Sequence, residues 1–164
     1  MSVVAEIADD ERENLTWHIF GQASRQLASA IEDSGFRPEL VIAVARGGLI
    51  PAGAIAYALK VKAAGTLNVE FYTDIEETLP EPVVLEPLLD TGALTGKKLL
   101  IVDDVVDSGK TLALVVDLLK PHASEIRTAV IYTKPTTIIA PDFSWKATDR
   151  WINFPWSSGS GLIP

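Results

Sequence analysis

Leu99-Leu100-Ile101-Val102-Asp103-Asp104-Val105-Val106-Asp107-Ser108-Gly109-Lys110-Thr111 is the stretch whose reading decides the fold. Leu99 to Val102 give the strongest strand signal in the chain, a short run of apolar residues bounded by polar ones. Thr111 to Leu119 then reads as a helix that stops before Pro121, because the residue preceding a proline is turned away from helical geometry. A strand that passes through a short polar turn into a helix is half of a β-α-β unit.

The flanking sequence repeats the pattern. Leu40-Val41-Ile42-Ala43-Val44 is continuously apolar and rich in β-branched residues, as expected of a strand buried on both faces of a parallel sheet. Ala45-Arg46-Gly47-Gly48 breaks it, Leu49 to Leu59 reads as a helix with Pro51 in its first turn, and Thr66 to Tyr72 reads as the next strand. Thr128 to Thr133 makes a fourth strand. Upstream, Thr16 caps an amphipathic helix carrying Trp17, Ile19, Phe20, Ala23, Leu27, Ala30 and Ile31, ended by Ser34-Gly35. Strands alternating with helices imply an α/β fold with a parallel twisted sheet, whose ligands sit at the carboxyl ends of the strands. Every candidate site residue falls at such an end.

The chain, 164 residues long, shows no internal repeat and no linker, so a single domain is expected across 1–164. From Thr73 to Gly96 it carries Asp74, Glu76, Glu77, Glu81, Glu86 and Asp90 with prolines at 80, 82 and 87, which suits a long surface excursion of functional type. The tail, Pro141 to Pro164, is the least regular region. Hydrophobic residues at 48% and charged ones at 22% are enough to bury a core. The absence of cysteine excludes disulfides, thiolate metal sites and a cysteine nucleophile, and fits a reducing compartment. Neither a signal peptide nor an apolar run long enough to span a membrane is visible, so a cytoplasmic protein without membrane attachment is expected. A net charge of −8 argues against a nucleic-acid-binding surface, whose affinity comes largely from Lys and Arg on phosphates.

Asp103 and Asp104 follow an apolar strand directly, so their charges are expected to emerge where the sheet ends. Adjacent carboxylates are acceptors only. They suit a vicinal diol, whose hydroxyls donate, or a hard cation such as Mg²⁺. Asp107-Ser108-Gly109-Lys110-Thr111 then leads into a helix, and a flexible turn at a helix N-terminus aims free backbone N–H groups and partial positive charge at an anion. Gly109-Lys110-Thr111 matches the end of a Walker A loop, but that motif needs glycine where Asp104 stands. What remains is a holder for a ribose 5-phosphate, against the plainer reading of a solvated strand end and an ordinary helix cap.

This run resembles the signature of the type I phosphoribosyltransferases. The resemblance implies that Asp103 and Asp104 hold the ribose 2- and 3-hydroxyls of phosphoribosyl pyrophosphate and serve as the metal side of the site for Mg²⁺. It further implies that Asp107, Ser108, Gly109, Lys110 and Thr111 bind the 5-phosphate, and that Asp107 is the general base near the purine N7. Ala45-Arg46-Gly47-Gly48 looks like the family's pyrophosphate loop, which implies contacts from Arg46 and the Gly47 and Gly48 N–H groups and a cis peptide between Ala45 and Arg46. Lys134-Pro135 and Trp151-Ile152-Asn153-Phe154-Pro155-Trp156 resemble the bacterial xanthine, hypoxanthine and guanine branch. There Lys134 donates to the 6-oxo group, Trp151 stacks on the ring and the Ile152 backbone reads the far edge; the plainer reading makes Lys134 a surface lysine and the tryptophans core. Ser157-Ser158 stand where the branch carries an acid that helps hold metal.

The resemblance implies the family fold with a small hood from the N- and C-terminal segments (about 135–164 at the C-terminal end), a mobile catalytic loop at about 73–96, and a homodimer or homotetramer. It implies transfer of 5-phosphoribosyl to xanthine, guanine or hypoxanthine in purine salvage. The rival readings are a non-catalytic nucleotide- or RNA-binding regulator on the same fold, since fold does not fix chemistry, and a phosphoribosyltransferase for another nitrogen base.

Overall fold

The structure, a computed structural model, describes residues 11–71, 82–84 and 91–159. Helix α1 (Trp17–Asp33) begins at Thr16, whose Oγ1 accepts from the Ile19 N–H at 3.1 Å, and ends at Ser34 before Gly35 at φ 82°. Its buried stripe of Phe20, Ala23, Leu27 and Ile31 repeats every three or four residues and faces the sheet. The expected alternation follows: β2 (Leu40–Ala45), α2 (Leu49–Leu59), β3 (Ala64–Phe71), β4 (Pro82–Val84), a 3-10 turn (Thr91–Leu94), β5 (Lys98–Val106), α3 (Lys110–Leu119) and β6 (Glu125–Thr133).

Six strands form one sheet in the order β4-β3-β2-β5-β6-β7, where β7 is Phe143–Ala147; all neighbours are parallel except β4, which runs antiparallel to β3. Successive residues of the central strand serve opposite faces, as the pleat requires. Leu100 and Val102 pack with α1 and α2 residues such as Ile31 and Ile55, while Leu99 and Ile101 pack with Leu112 and Val115 of α3. Ile101 is wholly buried, and truncating it to alanine would cost about 3 kcal/mol. Among the described residues no helix is long and apolar enough to cross a membrane.

Two expectations need correction. The tail is more regular than its sequence suggested: β7 pairs parallel with β6, its Phe-Ser-Trp-Lys alternation half-burying Phe143 and Trp145 on one side of an edge strand. Further on, β8 (Trp151–Asn153) pairs parallel with β1 (Arg12–Asn14), so an early and a late segment of the chain meet in a small second sheet, where the hood was expected. The other correction concerns β5, which does not end at Val102 but runs through both acids to Val106. Of the expected mobile loop at 73–96, residues 73–81 and 85–90 lie outside the described residues.

Candidate active site

The acidic pair emerges beside the sheet because neighbouring strands part there. β2 accompanies β5 only as far as Ala43 opposite Val102, whereas β6 stays paired through Val106 opposite Thr133. Asp103 and Asp104 therefore remain strand residues on one side and border a crevice on the other. Into that crevice fits the turn after β2, which follows a cis Ala45–Arg46 peptide. A Cβ at Gly47 would lie 2.3 to 2.7 Å from the Asp104 carboxylate atoms, and one at Gly48 would lie 2.4 Å from the Val102 carbonyl oxygen. Close backbone approach demands glycine at 48, whereas a side chain at 47 would force the Asp104 carboxylate to move. Gly48 donates its N–H to Val44 O at 2.8 Å, so of the two glycine donors expected to face pyrophosphate it is already engaged.

Asp103 and Asp104 are half-buried, and desolvation holds both above the usual carboxylate range, Asp103 furthest, with the Asp104 charge as its second cause. For Asp104, hydrogen bonds from its surroundings, including the Val105 N–H and the Trp156 side chain, pull the other way. None of the ion pairs among the described residues involves either acid. Two close carboxylates short of positive charge fit a hard cation completed by substrate oxygens and water, the usual way Mg²⁺ is held.

Gly109, at φ 83°, is the N-cap of α3, and no side chain of its own occupies the helix end. Ser108 Oγ accepts from the Lys110 N–H at 3.3 Å, and the remaining N–H groups of the first turn are open to an anion. The chain after β6 braces this loop from behind: Ile138 N–H donates to Ser108 O at 2.8 Å and Lys134 N–H to Val106 O at 2.9 Å. Thr136 Oγ1 donates to Asp107 Oδ1 at 3.1 Å. Asp107, Ser108 and Lys110 are exposed.

A cavity of about 760 Å³ gathers Arg46, Gly47, Leu49, Ile50, Asp104 and the Trp156–Gly159 turn. Asp103, the phosphate loop, Lys134, Trp151 and Ile152 do not line it. Lys134 Nζ donates to the Arg150 carbonyl, which brings the lysine to the residue before Trp151. The tryptophans divide: Trp156 stacks on Phe154 at 5.0 Å and meets Phe20 at 5.3 Å, Trp145 packs on Tyr132, and Trp151 stays 64% exposed. Thr136 was not singled out from the sequence, where a hydroxyl just beyond the lysine was the faint signal, and Trp156 entered only as the end of the resembling run, with no role of its own.

An adjacent acidic pair, a glycine-capped helix start and a glycine turn, all at the carboxyl edge of a parallel sheet, are the parts that suit a protein handling a phosphorylated sugar. The family described as phosphoribosyl transferase domain matches residues 12–160, and the chain belongs to it. It is a phosphoribosyltransferase. The chain is 33% identical over 152 residues to a xanthine-guanine phosphoribosyltransferase of Gluconobacter oxydans, covering 92% of this chain and 87% of that one. A xanthine-guanine phosphoribosyltransferase of Cereibacter sphaeroides is likewise 33% identical, over 87% of this chain and 85% of its own. The crystal structure of a purine phosphoribosyltransferase from Pyrococcus horikoshii superposes with a TM-score of 0.80 at 34% identity, covering 94% of this chain and 99% of the other.

Proposed function

We propose that the enzyme transfers 5-phosphoribosyl from phosphoribosyl pyrophosphate to a 6-oxopurine, xanthine, guanine or hypoxanthine, in purine salvage. The observation that carries this reading is the seat of Gly47 against Asp104, which sets a pyrophosphate-sized turn beside a diol-sized acid at one open cavity. The names of the relatives support the purine acceptor.

In this reading Asp103 and Asp104 accept from the ribose hydroxyls, the loop Asp107 to Thr111 holds the 5-phosphate, and Arg46 with the Gly47 N–H holds the pyrophosphate. Lys134 donates to the 6-oxo group, Trp151 stacks on the ring and the Ile152 backbone reads the opposite edge. A purine nitrogen forms its bond to C1 as the C1–oxygen bond breaks, the electron pair leaving with pyrophosphate. Asp107 accepts the proton from the purine N7, and Thr136 holds its carboxylate in place. Mg²⁺, when bound beside Asp103 and Asp104, neutralises charge on the leaving pyrophosphate. Fixing both ends of the donor supplies most of the catalysis, since charge and geometry are set before the bond breaks.

We place the enzyme in the cytoplasm, with no membrane or nucleic acid as partner. It works as a homodimer or homotetramer, for Tyr57 stands exposed on the apolar helix α2, away from the residues that line the cavity. Light scattering giving the mass of one chain would remove the assembly.

The test of function is pyrophosphate release from phosphoribosyl pyrophosphate and Mg²⁺, with each base supplied singly and with none. Release that depends on one 6-oxopurine is expected. Release with uracil alone would overturn the purine reading, and donor binding without release under any base would turn the protein into a regulator.

A further inference from the structure

The hood strand β8 lies apart from the main sheet, and its one strand partner among the described residues is the three-residue β1. Side chains therefore help fix β8 relative to β6, from whose end Lys134 emerges: Lys134 Nζ donates to the Arg150 carbonyl, and Ile152 packs in one cluster with Tyr132. Glu13 of β1 adds a polar tie. Its Oε1 accepts from Tyr132 Oη at 3.2 Å and from Lys146 Nζ at 2.8 Å. Tyr132 and Lys146 are register partners on β6 and β7, so one carboxylate oxygen gathers donors from two adjacent strands of the main sheet. Glu13 is itself the register partner of Ile152.

The donor it leans on cannot shift. Tyr132 is wholly buried, with its ring held edge-on between Trp145 at 5.7 Å and Phe154 at 5.9 Å. Burial, and then the Glu13 charge, raise the phenol far above its usual range, so it remains a hydrogen-bond donor at any working pH. Tyr132 also stands two residues before Lys134, which directly follows the end of β6. The path from the lysine through Tyr132 and Glu13 to Ile152 is therefore short and made of fixed elements.

We propose that Glu13 is a positioning residue for base selection, its bridge from β1 to Tyr132 and Lys146 setting the separation between Lys134 and the Ile152 backbone. The inference rests on the base-pocket reading given above. All three 6-oxopurines present the same group to Lys134 and differ only at the 2-position, on the edge that Ile152 reads. A change in separation therefore alters discrimination among them more than it alters recognition of the common 6-oxo group.

The test measures steady-state kinetics of wild type, Glu13→Ala, Glu13→Gln and Tyr132→Phe with xanthine, guanine and hypoxanthine in turn. Glu13→Ala is expected to raise KM for the preferred base by about tenfold, as for loss of a hydrogen bond to a charged group, and to flatten the preference among the three. KM for phosphoribosyl pyrophosphate should move by less than about twofold, because the donor is bound by other elements. Gln keeps an acceptor for Tyr132 and should restore most of the preference; Tyr132→Phe should lose part of it, and serves if the alanine variant does not fold. The inference is overturned if KM for base and for donor rise together, or if melting temperature falls while every KM and the base preference stay put. A wild type that uses no purine at all would sink the base-pocket reading itself, a distinct outcome visible before any variant is made.

Discussion

The proposed donor end of the site, from Asp103 to Thr111, is one unbroken stretch in which β5, a loop and α3 follow one another; the backbone ladder to β6 fixes its strand part as far as Val106, and the Ile138 N–H holds the loop at Ser108 O. The proposed acceptor end instead takes Lys134 from just past β6 and Trp151 and Ile152 from β8, and side chains help join it: Lys134 to the Arg150 carbonyl, and Glu13 to Tyr132 and Lys146. A backbone ladder has many bonds that must fail together, whereas each side-chain tie can be lost alone. Substitutions at the donor end should thus act through the chemistry of the altered group, with large effects on turnover. At the acceptor end they should act on KM for the base, in smaller steps.

The largest effect tests that division directly. Asp107→Asn keeps the shape of the loop but removes the proton acceptor, and should lower kcat by about a thousandfold with both KM values little changed. Unimpaired turnover would take the base out of the donor loop and dissolve the contrast. Gly47→Ala comes next. Its Cβ would sit 2.3 Å from Asp104 Oδ2, so the carboxylate must swing away from the cavity. We expect kcat/KM for phosphoribosyl pyrophosphate to drop by about a hundredfold, as for a misplacement of about an ångström, with an unchanged circular dichroism spectrum.

The contrast also explains what could be read from the sequence. The donor end is contiguous, so residues Asp103 to Thr111 carried strand, acid pair, phosphate loop and helix in a legible order. The β-α-β alternation was legible for the same reason: the helix at 49–59 falls where local pattern put it, and the strand expected at 40–44 runs one residue further, to Ala45. Two features depend on tertiary partners and left little local trace. That β5 continues through Asp103 and Asp104 follows from β6 running alongside while β2 departs, a fact about neighbours. That Trp145 and Trp156 are packed while Trp151 is exposed depends on the aromatic cluster with Phe20, Tyr132 and Phe154. Glu13, in an acidic stretch near the chain's start, had no signal at all, because its donors come from strands more than a hundred residues away.

At the acceptor end, Trp151→Ala should raise KM for the purine by about tenfold, the loss expected for one stacking platform, and leave KM for the donor alone. Because Trp151 is 64% exposed, stability should barely change. An equal rise in donor KM would mean that the two ends are not separately built.

The smallest effect falls where the ends touch. Thr136 lies two residues beyond Lys134, yet its hydroxyl donates to Asp107 Oδ1 at 3.1 Å and lies 3.3 Å from the Asp107 carbonyl oxygen. It belongs by sequence to the acceptor end and by contact to the donor end. If contact governs, Thr136→Val, which keeps the shape and removes the donor, should lower kcat about threefold to tenfold while KM for the base stays put, and Thr136→Ser should restore it. The bond is solvent-exposed, which keeps the effect small beside that of Asp107→Asn. If KM for the base rises instead and serine does not restore it, Thr136 acts by shaping the lysine's turn, and the boundary between the two ends lies inside the loop that braces Ser108.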